Sequence, residues 1–147
     1  MGQVTFSVSV WSAAPPAVVW GLVRDGSTWP SWTSIGSFAL AREAPEGGEG
    51  VGAVRRFKTG LVRSTEEITD LVPDRRLDYR QLTGVPISDH LASVELQPAR
   101  GGTDIVWNES FKSRVPGQAA FLRWFIRRCA KGLAARAAEL ATSTNQA

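Results

Sequence analysis

The chain has 147 residues, enough for one domain that buries roughly 70% of its unfolded surface and too few for two such domains. Hydrophobic residues make up 43% and charged residues 21% of the sequence, which excludes disorder over most of its length. The net charge of +3 comes from 17 basic and 14 acidic side chains, an excess too small to indicate a nucleic-acid partner.

Several classes of protein are excluded by what the sequence lacks. No apolar run approaches the roughly 18 residues of a membrane span, and the N-terminal residues alternate where a signal peptide needs a continuous apolar stretch. We therefore expect a cytoplasmic protein with no integral membrane segment. Cys129 is the only cysteine and His90 the only histidine, which excludes an internal disulfide and the usual cysteine-rich or multi-histidine metal sites. No metal and no cofactor are expected.

The first residues of the chain predict a strand followed by two short helices. Residues 3–11 alternate apolar side chains with serine and threonine, the period of a strand with one buried face. Two prolines then open a short helix that ends near residue 24, because proline fits the first turn of a helix. A second, very short helix over residues 27–32 carries both Trp29 and Trp32.

The middle of the chain predicts strands and turns. A strand with Phe38 and Leu40 on one face precedes a Gly/Glu/Pro loop at residues 43–50, which we expect to be mobile. Further alternating segments follow at residues 53–58, 61–71, 77–83, 89–97 and 104–111. Short turns rich in glycine and proline separate them, which predicts an antiparallel meander.

One long amphipathic helix is predicted over residues 118–140, followed by a frayed polar tail, TSTNQA. Its apolar stripe consists of Leu122, Phe125, Ile126, Cys129, Leu133, Ala137 and Leu140. The basic residues beside the stripe are Arg123, Arg127, Arg128, Lys131 and Arg136. They are interpreted as a solvated helix face or, alternatively, as a patch for anionic headgroups or nucleic acid, although no nucleic-acid motif accompanies them.

Together these elements predict an α+β fold. A curved antiparallel sheet of about seven strands wraps around the long C-terminal helix, and two short helices follow the first strand. A strongly curved sheet around a helix cannot fill its interior with two layers of side chains, so a cavity is expected between them. No linker divides the chain, which predicts a single ligand-binding domain over residues 1–147 with an ordered core at about 3–141.

Five short motifs occur in an order and spacing that are fairly specific when taken together. They lie at residues 13–20 (AAPPAVVW), 25–32 (DGSTWPSW), 50–53 (GVGA, leading into Arg56 and Phe57), 67–77 (EITDLVPDRRL) and 101–103 (GGT). Over residues 3–140 the chain resembles the helix-grip fold of the START-like superfamily (SRPBCC), and within it the polyketide cyclase/dehydrase and lipid-transport branch. The resemblance implies a hydrophobic cavity for lipids, polyketides or other aromatic or steroid-like molecules, without a bound metal or nucleotide.

Alternation along the strands predicts which side chains face inward, because residues two apart share a face. The inward set is Phe57, Glu66, Ile68, Tyr79, His90, Ala92, Val94, Ile105, Trp107, Glu109 and Phe111. In the last strand Glu109 shares its face with apolar residues, and an inward carboxylate is costly unless it is paired or hydrogen-bonded. A β-bulge would exchange the two faces of any of these strands.

Four polar side chains of this set are candidates for chemistry: His90, Glu109, Glu66 and Tyr79. In an apolar cavity, burial could shift a carboxyl group or an imidazole toward neutral pH and allow the proton transfers of an aldol cyclisation or a dehydration. The same groups could instead orient a bound ligand.

The alternative interpretation gives these residues structural roles only. His90 would lie near a rim and hydrogen-bond to the backbone, and Tyr79 would fill the core. The two glutamates would pair with arginines, of which Arg55, Arg63 and Arg80 are the candidates.

The predicted ligand contacts are Trp32, Phe57, Tyr79, His90, Trp107, Glu109, Phe125 and Cys129. Of the two neighbouring tryptophans, Trp32 is expected to touch the ligand and Trp29 to lie in the core. Cys129 lies in the middle of the helix on its apolar stripe, with no histidine near it in sequence, so it is not expected to be a nucleophile.

Three functions are open at this point. The first is binding of a small hydrophobic molecule by a monomer or homodimer. The second is a polyketide cyclase/dehydrase type of enzyme that uses general acid–base residues in the same cavity. The third is an interaction protein whose arginine-rich helix contacts anionic lipid or another protein.

Overall fold

One antiparallel sheet holds the seven strands of the computed structural model, which describes residues 2–146 and the side chains up to residue 143. The elements in chain order are β1 (Gln3–Ser12), α1 (Pro16–Val23), a 3-10 helix (Gly26–Ser31), β2 (Ser37–Arg42), β3 (Val54–Thr59), β4 (Val62–Val72), β5 (Arg76–Thr83), β6 (Ile87–Ala99), β7 (Gly102–Ser113) and α2 (Gln118–Gln146). The predicted α+β class and the predicted order of elements are confirmed.

The strand order brings the first and last strands together. The sheet runs β1-β7-β6-β5-β4-β3-β2, so strands β2 to β7 are neighbours in chain order and β1 pairs with β7. The sheet is curved, and α2 packs across it against β1 and β7. This helix-grip arrangement leaves room for a cavity where the curved sheet and the helix diverge.

Period-two alternation places the predicted residues on the inner face of the sheet. The inward residues of β7 are buried: Ile105, Trp107, Glu109 and Phe111. Those of β6 are buried too: His90, Ala92, Val94 and Leu96. By contrast, the side chain of Leu91, between His90 and Ala92, is 60% exposed. The phase predicted for these two strands is therefore confirmed.

The loop at residues 43–50 is anchored, although we expected it to be mobile. Glu49 forms an ion pair with the buried Arg55, with 2.7 Å between Oε2 and Nε, and it accepts hydrogen bonds from the backbone N–H of Gly26. Ala44, in the same loop, is buried. The composition predicted a mobile loop, but the ion pair between Glu49 and a buried guanidinium fixes it to the core.

The C-terminal helix is longer than predicted. It continues to Gln146, so the polar tail predicted at residues 142–147 is helical except for Ala147, which lies outside the described residues. The hydroxyl of Thr142 donates to the carbonyl oxygen of Ala138 at 3.0 Å. The Thr142 hydroxyl therefore has a hydrogen-bond partner within the helix, although the sequence pattern predicted a frayed tail here.

Gly132 allows α2 to approach the end of the 3-10 helix closely. A Cβ atom at this position would lie 2.0 Å from the backbone oxygen of Trp32. We expect Gly132→Ala to lower the free energy of unfolding by about 1–3 kcal/mol, despite the higher helix propensity of alanine. Gly21→Ala in α1 is the control, because its Cβ meets no atom within 4 Å. Urea denaturation compares the two variants, and equal stability would contradict the close approach.

Candidate functional site

A cavity of about 260 Å³ lies between the inner face of the sheet and α2. Its floor includes the buried rings of Trp29, Phe57 and Trp107, and its mouth is bordered by the exposed side chains of Val62 and Phe121. Of the predicted site residues, the structure brings together Phe57, Glu66, Tyr79, His90, Trp107, Glu109, Phe125 and Cys129. Apolar walls with a few convergent polar groups are the usual composition of a small-molecule site.

His90 is held in one tautomer by the neighbouring strand. The backbone N–H of Gln81 donates to Nδ1 of His90 at 2.8 Å. Because a backbone N–H can only donate, Nδ1 carries no proton and the ring proton is on Nε2. That Nε2–H donates to Oε1 of Glu109 at 2.8 Å. His90 is thus buried rather than at a rim, and both of its ring nitrogens are occupied.

Glu109 accepts a second hydrogen bond, from Tyr79. The Tyr79 hydroxyl donates to Oε2 at 3.3 Å and accepts from the indole Nε1–H of Trp107 at 3.0 Å. Burial, followed by the charge of Glu109, raises the pKa of Tyr79 well above its ordinary value, so its hydroxyl remains a donor. Each oxygen of the Glu109 carboxyl group therefore accepts one hydrogen bond.

Irregularities in the sheet lie beside two of the polar side chains. Strand β6 shifts register against β7 around Asp89, whose φ is 51°, a left-handed conformation that aspartate tolerates better than most residues. Strand β4 shifts register against β5 between Thr65 and Glu66. Bulges of this kind redirect side chains, and here they adjoin His90 and Glu66. The alternation of apolar residues gave no indication of either irregularity.

Glu66 has no hydrogen-bond or ion-pair partner among the described side chains, residues 2–143. Its carboxyl group lines the cavity beside the network of His90 and Glu109. Burial is the main cause that raises the pKa of Glu66 to about 7; the neighbouring His90 and Arg55 oppose this rise, and the charge of Glu109 adds to it. Near neutral pH this group can therefore either give up or take up a proton.

The arginines considered as partners of the two cavity glutamates do not pair with them. Arg55 pairs with Glu49. Arg80 pairs with Glu67, the neighbour of Glu66 in sequence, with 2.7 Å between Nη2 and Oε1. Arg63 is exposed and forms no ion pair within the described residues. Alternation explains this outcome, because Glu67 faces away from the cavity and meets the outer arginines.

Both neighbouring tryptophans are buried in the core, as expected for Trp29, but Trp29 rather than Trp32 lines the cavity. Trp29 lines the cavity, fixed by the hydrogen bond from its Nε1–H to the carbonyl oxygen of Val23 at 3.1 Å. Trp32 packs against Trp29, with 4.7 Å between ring centroids, and lines a second groove of about 490 Å³ beside residues 31–34. That groove is open and bordered by charged side chains of α2, so the apolar cavity is the better candidate for a ligand site.

Cys129 and Phe125 separate the cavity from this outer groove. Burial, followed by the charge of Glu66, raises the pKa of Cys129 to about 12. Its thiol is therefore protonated at neutral pH, which argues against a nucleophile. No group of three or more His, Cys, Asp or Glu side chains is placed to hold a metal ion in the part of the chain that the structure describes.

The basic residues of α2 lie mainly on its outer side. The exposed ones are Arg123, Arg127, Arg128 and Lys131. Arg128 lies over the ring of Trp124, 5.6 Å from its centroid, and the half-buried Arg136 pairs with Glu139 at 3.2 Å. Within residues 2–146, no helix is both long enough and apolar enough to cross a membrane.

A curved antiparallel sheet, a long C-terminal helix and an apolar cavity between them define a protein of the helix-grip, START-like class. The chain belongs to the family described as polyketide cyclase/dehydrase and lipid transport, which matches residues 3–141. The resemblance inferred from the sequence is confirmed. A search of curated proteins found no match.

Several solved structures are similar to this chain. A protein from Nitrosospira multiformis has a TM-score of 0.76 and 21% identity, with 90% of this chain and 94% of that chain covered. Ara h 8.0201 has a TM-score of 0.75 and 18% identity, with 92% and 98% covered. A protein from Thermobifida fusca has a TM-score of 0.74 and 29% identity, with 92% and 94% covered. At these identities the likeness shows the fold alone.

Proposed function

We propose that this protein binds a small apolar molecule with an aromatic or fused-ring body in the cavity between the sheet and α2. The observation that carries the proposal is the cavity itself, about 260 Å³ of space lined by aromatic rings with polar groups at one end. An apolar protein cavity of about 150 Å³ is large enough for benzene, so this one suits a body of about two fused rings. Trp29, Phe57, Trp107 and Phe125 would contact that body.

Tryptophan fluorescence should report binding directly, because Trp29 and Trp107 lie in the cavity wall. We expect saturable quenching by naphthylmethanol, within a panel that also contains flavonoids, sterols and fatty acids. Cys129→Phe should abolish the quenching by filling the cavity, whereas Cys129→Ala should retain it. Thermal unfolding of both variants confirms that they are folded. Saturable binding that is equal in wild type and Cys129→Phe would contradict the assignment of the cavity.

A second candidate function is acid–base catalysis of a dehydration or cyclisation in the same cavity. It is favoured by a specific pair of carboxyl groups: each Glu109 oxygen accepts a hydrogen bond, whereas Glu66 is unpartnered and its pKa is raised by burial to about 7. Two neighbouring carboxyl groups in such different environments commonly take different roles in a proton transfer. Glu66 would move the proton, and His90 would position Glu109 rather than act as the base.

A β-hydroxy naphthyl ketone tests this second candidate. In its dehydration a proton leaves the carbon next to the carbonyl, the hydroxyl departs as water and a double bond forms. We expect Glu66→Gln to reduce turnover at least about 100-fold, the lower end of a typical general acid–base contribution. Glu67→Gln, on the outer face, is the matched control. Absorbance of the conjugated product follows the reaction, and unchanged turnover in Glu66→Gln would remove the assignment.

We also propose that the protein acts in the cytoplasm, as a monomer or homodimer, and that its partner is a small molecule rather than a nucleic acid. The single, buried and unpaired Cys129 supports a reducing compartment. The apolar lining of the cavity supports a small-molecule partner.

A further inference from the structure

The charged side chains that line the cavity are acidic. Glu66 and Glu109 both reach it, and among the described residues no lysine or arginine belongs to its wall. The His90 ring directs its Nε2–H at Glu109 rather than into the cavity, because its Nδ1 accepts the Gln81 N–H. The polar end of the cavity therefore has a negative potential inside apolar walls, where charges interact more strongly than in water.

The two carboxyl groups differ in what they can offer a ligand. Glu109 already accepts hydrogen bonds from His90 and Tyr79. Glu66 receives none from the described side chains. The Glu66 carboxylate lies against apolar walls and is only partly accessible to water, so an incoming donor or cation stabilises it. A ligand with such a group beside Glu66 would supply the partner that these side chains do not.

The nearest arginine does not reverse this polarity. The guanidinium of Arg55 pairs through Nε with Glu49, and its Nη2 donates to the carbonyl oxygens of Val23 and Arg24 at 3.2 and 2.6 Å. It lies 5.6 Å from the ring centroid of Trp29 and does not belong to the cavity wall. A bound anion would therefore find no cation in the wall to pair with.

We infer that the cavity selects apolar molecules whose polar end is a hydrogen-bond donor, with protonated amines preferred over alcohols and carboxylates excluded. The inference rests on the proposed function, because it names the ligand class of that same cavity. An ammonium group gains both a hydrogen bond and an ion pair from Glu66, whereas a carboxylate meets two like charges. Fatty acids and aryl carboxylates should bind weakly although their bodies are apolar.

The preference for amines should depend on the protonation of Glu66. The groups that face it from the surrounding elements are Arg55 of β3, Tyr79 of β5, His90 of β6, Glu109 of β7 and Cys129 of α2. Burial raises the pKa of Glu66 to about 7, so the carboxylate is ionised at pH 8 and mostly protonated at pH 5.5. The affinity for an amine should therefore rise as the pH rises through this range.

Calorimetric titration with three ligands of matched size tests the inference: naphthylmethylamine, naphthylmethanol and naphthoate. At pH 8 we expect the amine to bind about tenfold more tightly than the alcohol, and naphthoate to bind at least about tenfold more weakly than the alcohol. At pH 5.5 the ratio of amine to alcohol affinity should fall below about threefold. Glu66→Gln should show this small ratio at both pH values, and Glu67→Gln should behave as the wild type.

The possible outcomes separate this inference from the proposed function. If naphthylmethanol binds and naphthoate binds equally well or better, the inference fails and the proposed function stands. If none of the three ligands binds, both fail. If the amine preference of the wild type persists in Glu66→Gln, the role given to Glu66 is wrong. Circular dichroism confirms folding of the variants, with Glu66→Leu as a second substitution should the glutamine variant not fold.

Discussion

Replacing Arg55 with methionine is expected to lower the free energy of unfolding by about 3–5 kcal/mol, the usual cost of removing one partner from a buried ion pair. Methionine keeps the unbranched apolar stem but leaves the carboxylate of Glu49 without its guanidinium partner. The carbonyl oxygens of Val23 and Arg24 lose a donor as well. Such a loss is a large share of the stability of a small protein.

Arg80→Met is the matched control for this prediction. Arg80 is half-exposed and pairs with Glu67 on the outer face of the sheet, so its loss should cost less than about 1 kcal/mol. Urea denaturation at neutral pH measures both variants. If Arg55→Met lowers the free energy of unfolding no more than Arg80→Met does, the 43–50 loop is not anchored as described.

Glu66→Gln should stabilise the protein at pH 8 and leave its stability unchanged at pH 4. Burial raises the pKa of Glu66 from 4.5 to about 7 in the folded protein. Between these values the unfolded chain releases a proton that the folded protein keeps, so the stability of the wild type falls as the pH rises through this window. A pKa difference of one corresponds to about 1.4 kcal/mol, so the variant should gain about 1–3 kcal/mol at pH 8, allowing for partial solvation of the carboxylate.

Below pH 4.5 the carboxyl group is protonated in both states, and the substitution removes no penalty. Glu67→Gln controls for the general effect of removing a glutamate, and it should lose a little stability with its ion pairs to Arg42 and Arg80. Urea denaturation at several pH values provides the comparison. A stability difference between wild type and Glu66→Gln that does not vary with pH would exclude the raised pKa. A side chain that lowers stability at neutral pH is expected more often at a functional site than in a purely structural core.

The sheet and its inner face could be predicted because they follow from local patterns. Burial of one face imposes a period of two, and this period places Trp107 and Glu109 inside as reliably as it places Leu91 outside. The long helix was equally predictable from its apolar stripe. Its end was not, because the last residues of the helix, from Thr142 to Gln146, are polar and carry no apolar stripe.

The candidate site could be predicted only as a set of residues that share a face. Which of them contact one another depends on pairing between strands distant in sequence, such as the bond from the Gln81 N–H to His90 that decides the tautomer. That Trp29 lines the cavity has a similar origin, because it stacks on Phe57 of a strand distant in sequence, with 5.0 Å between ring centroids. Likewise, Arg55 pairs with Glu49, which belongs to a loop that composition alone predicted to be mobile.

A crystal structure of the protein grown with naphthylmethanol tests the central claim most directly. We predict electron density for the ligand between the sheet and α2, its rings against Trp29 and Phe57 and its hydroxyl toward Glu66. An interior filled by side chains, or a ligand found only in the outer groove beside Trp32, would contradict it.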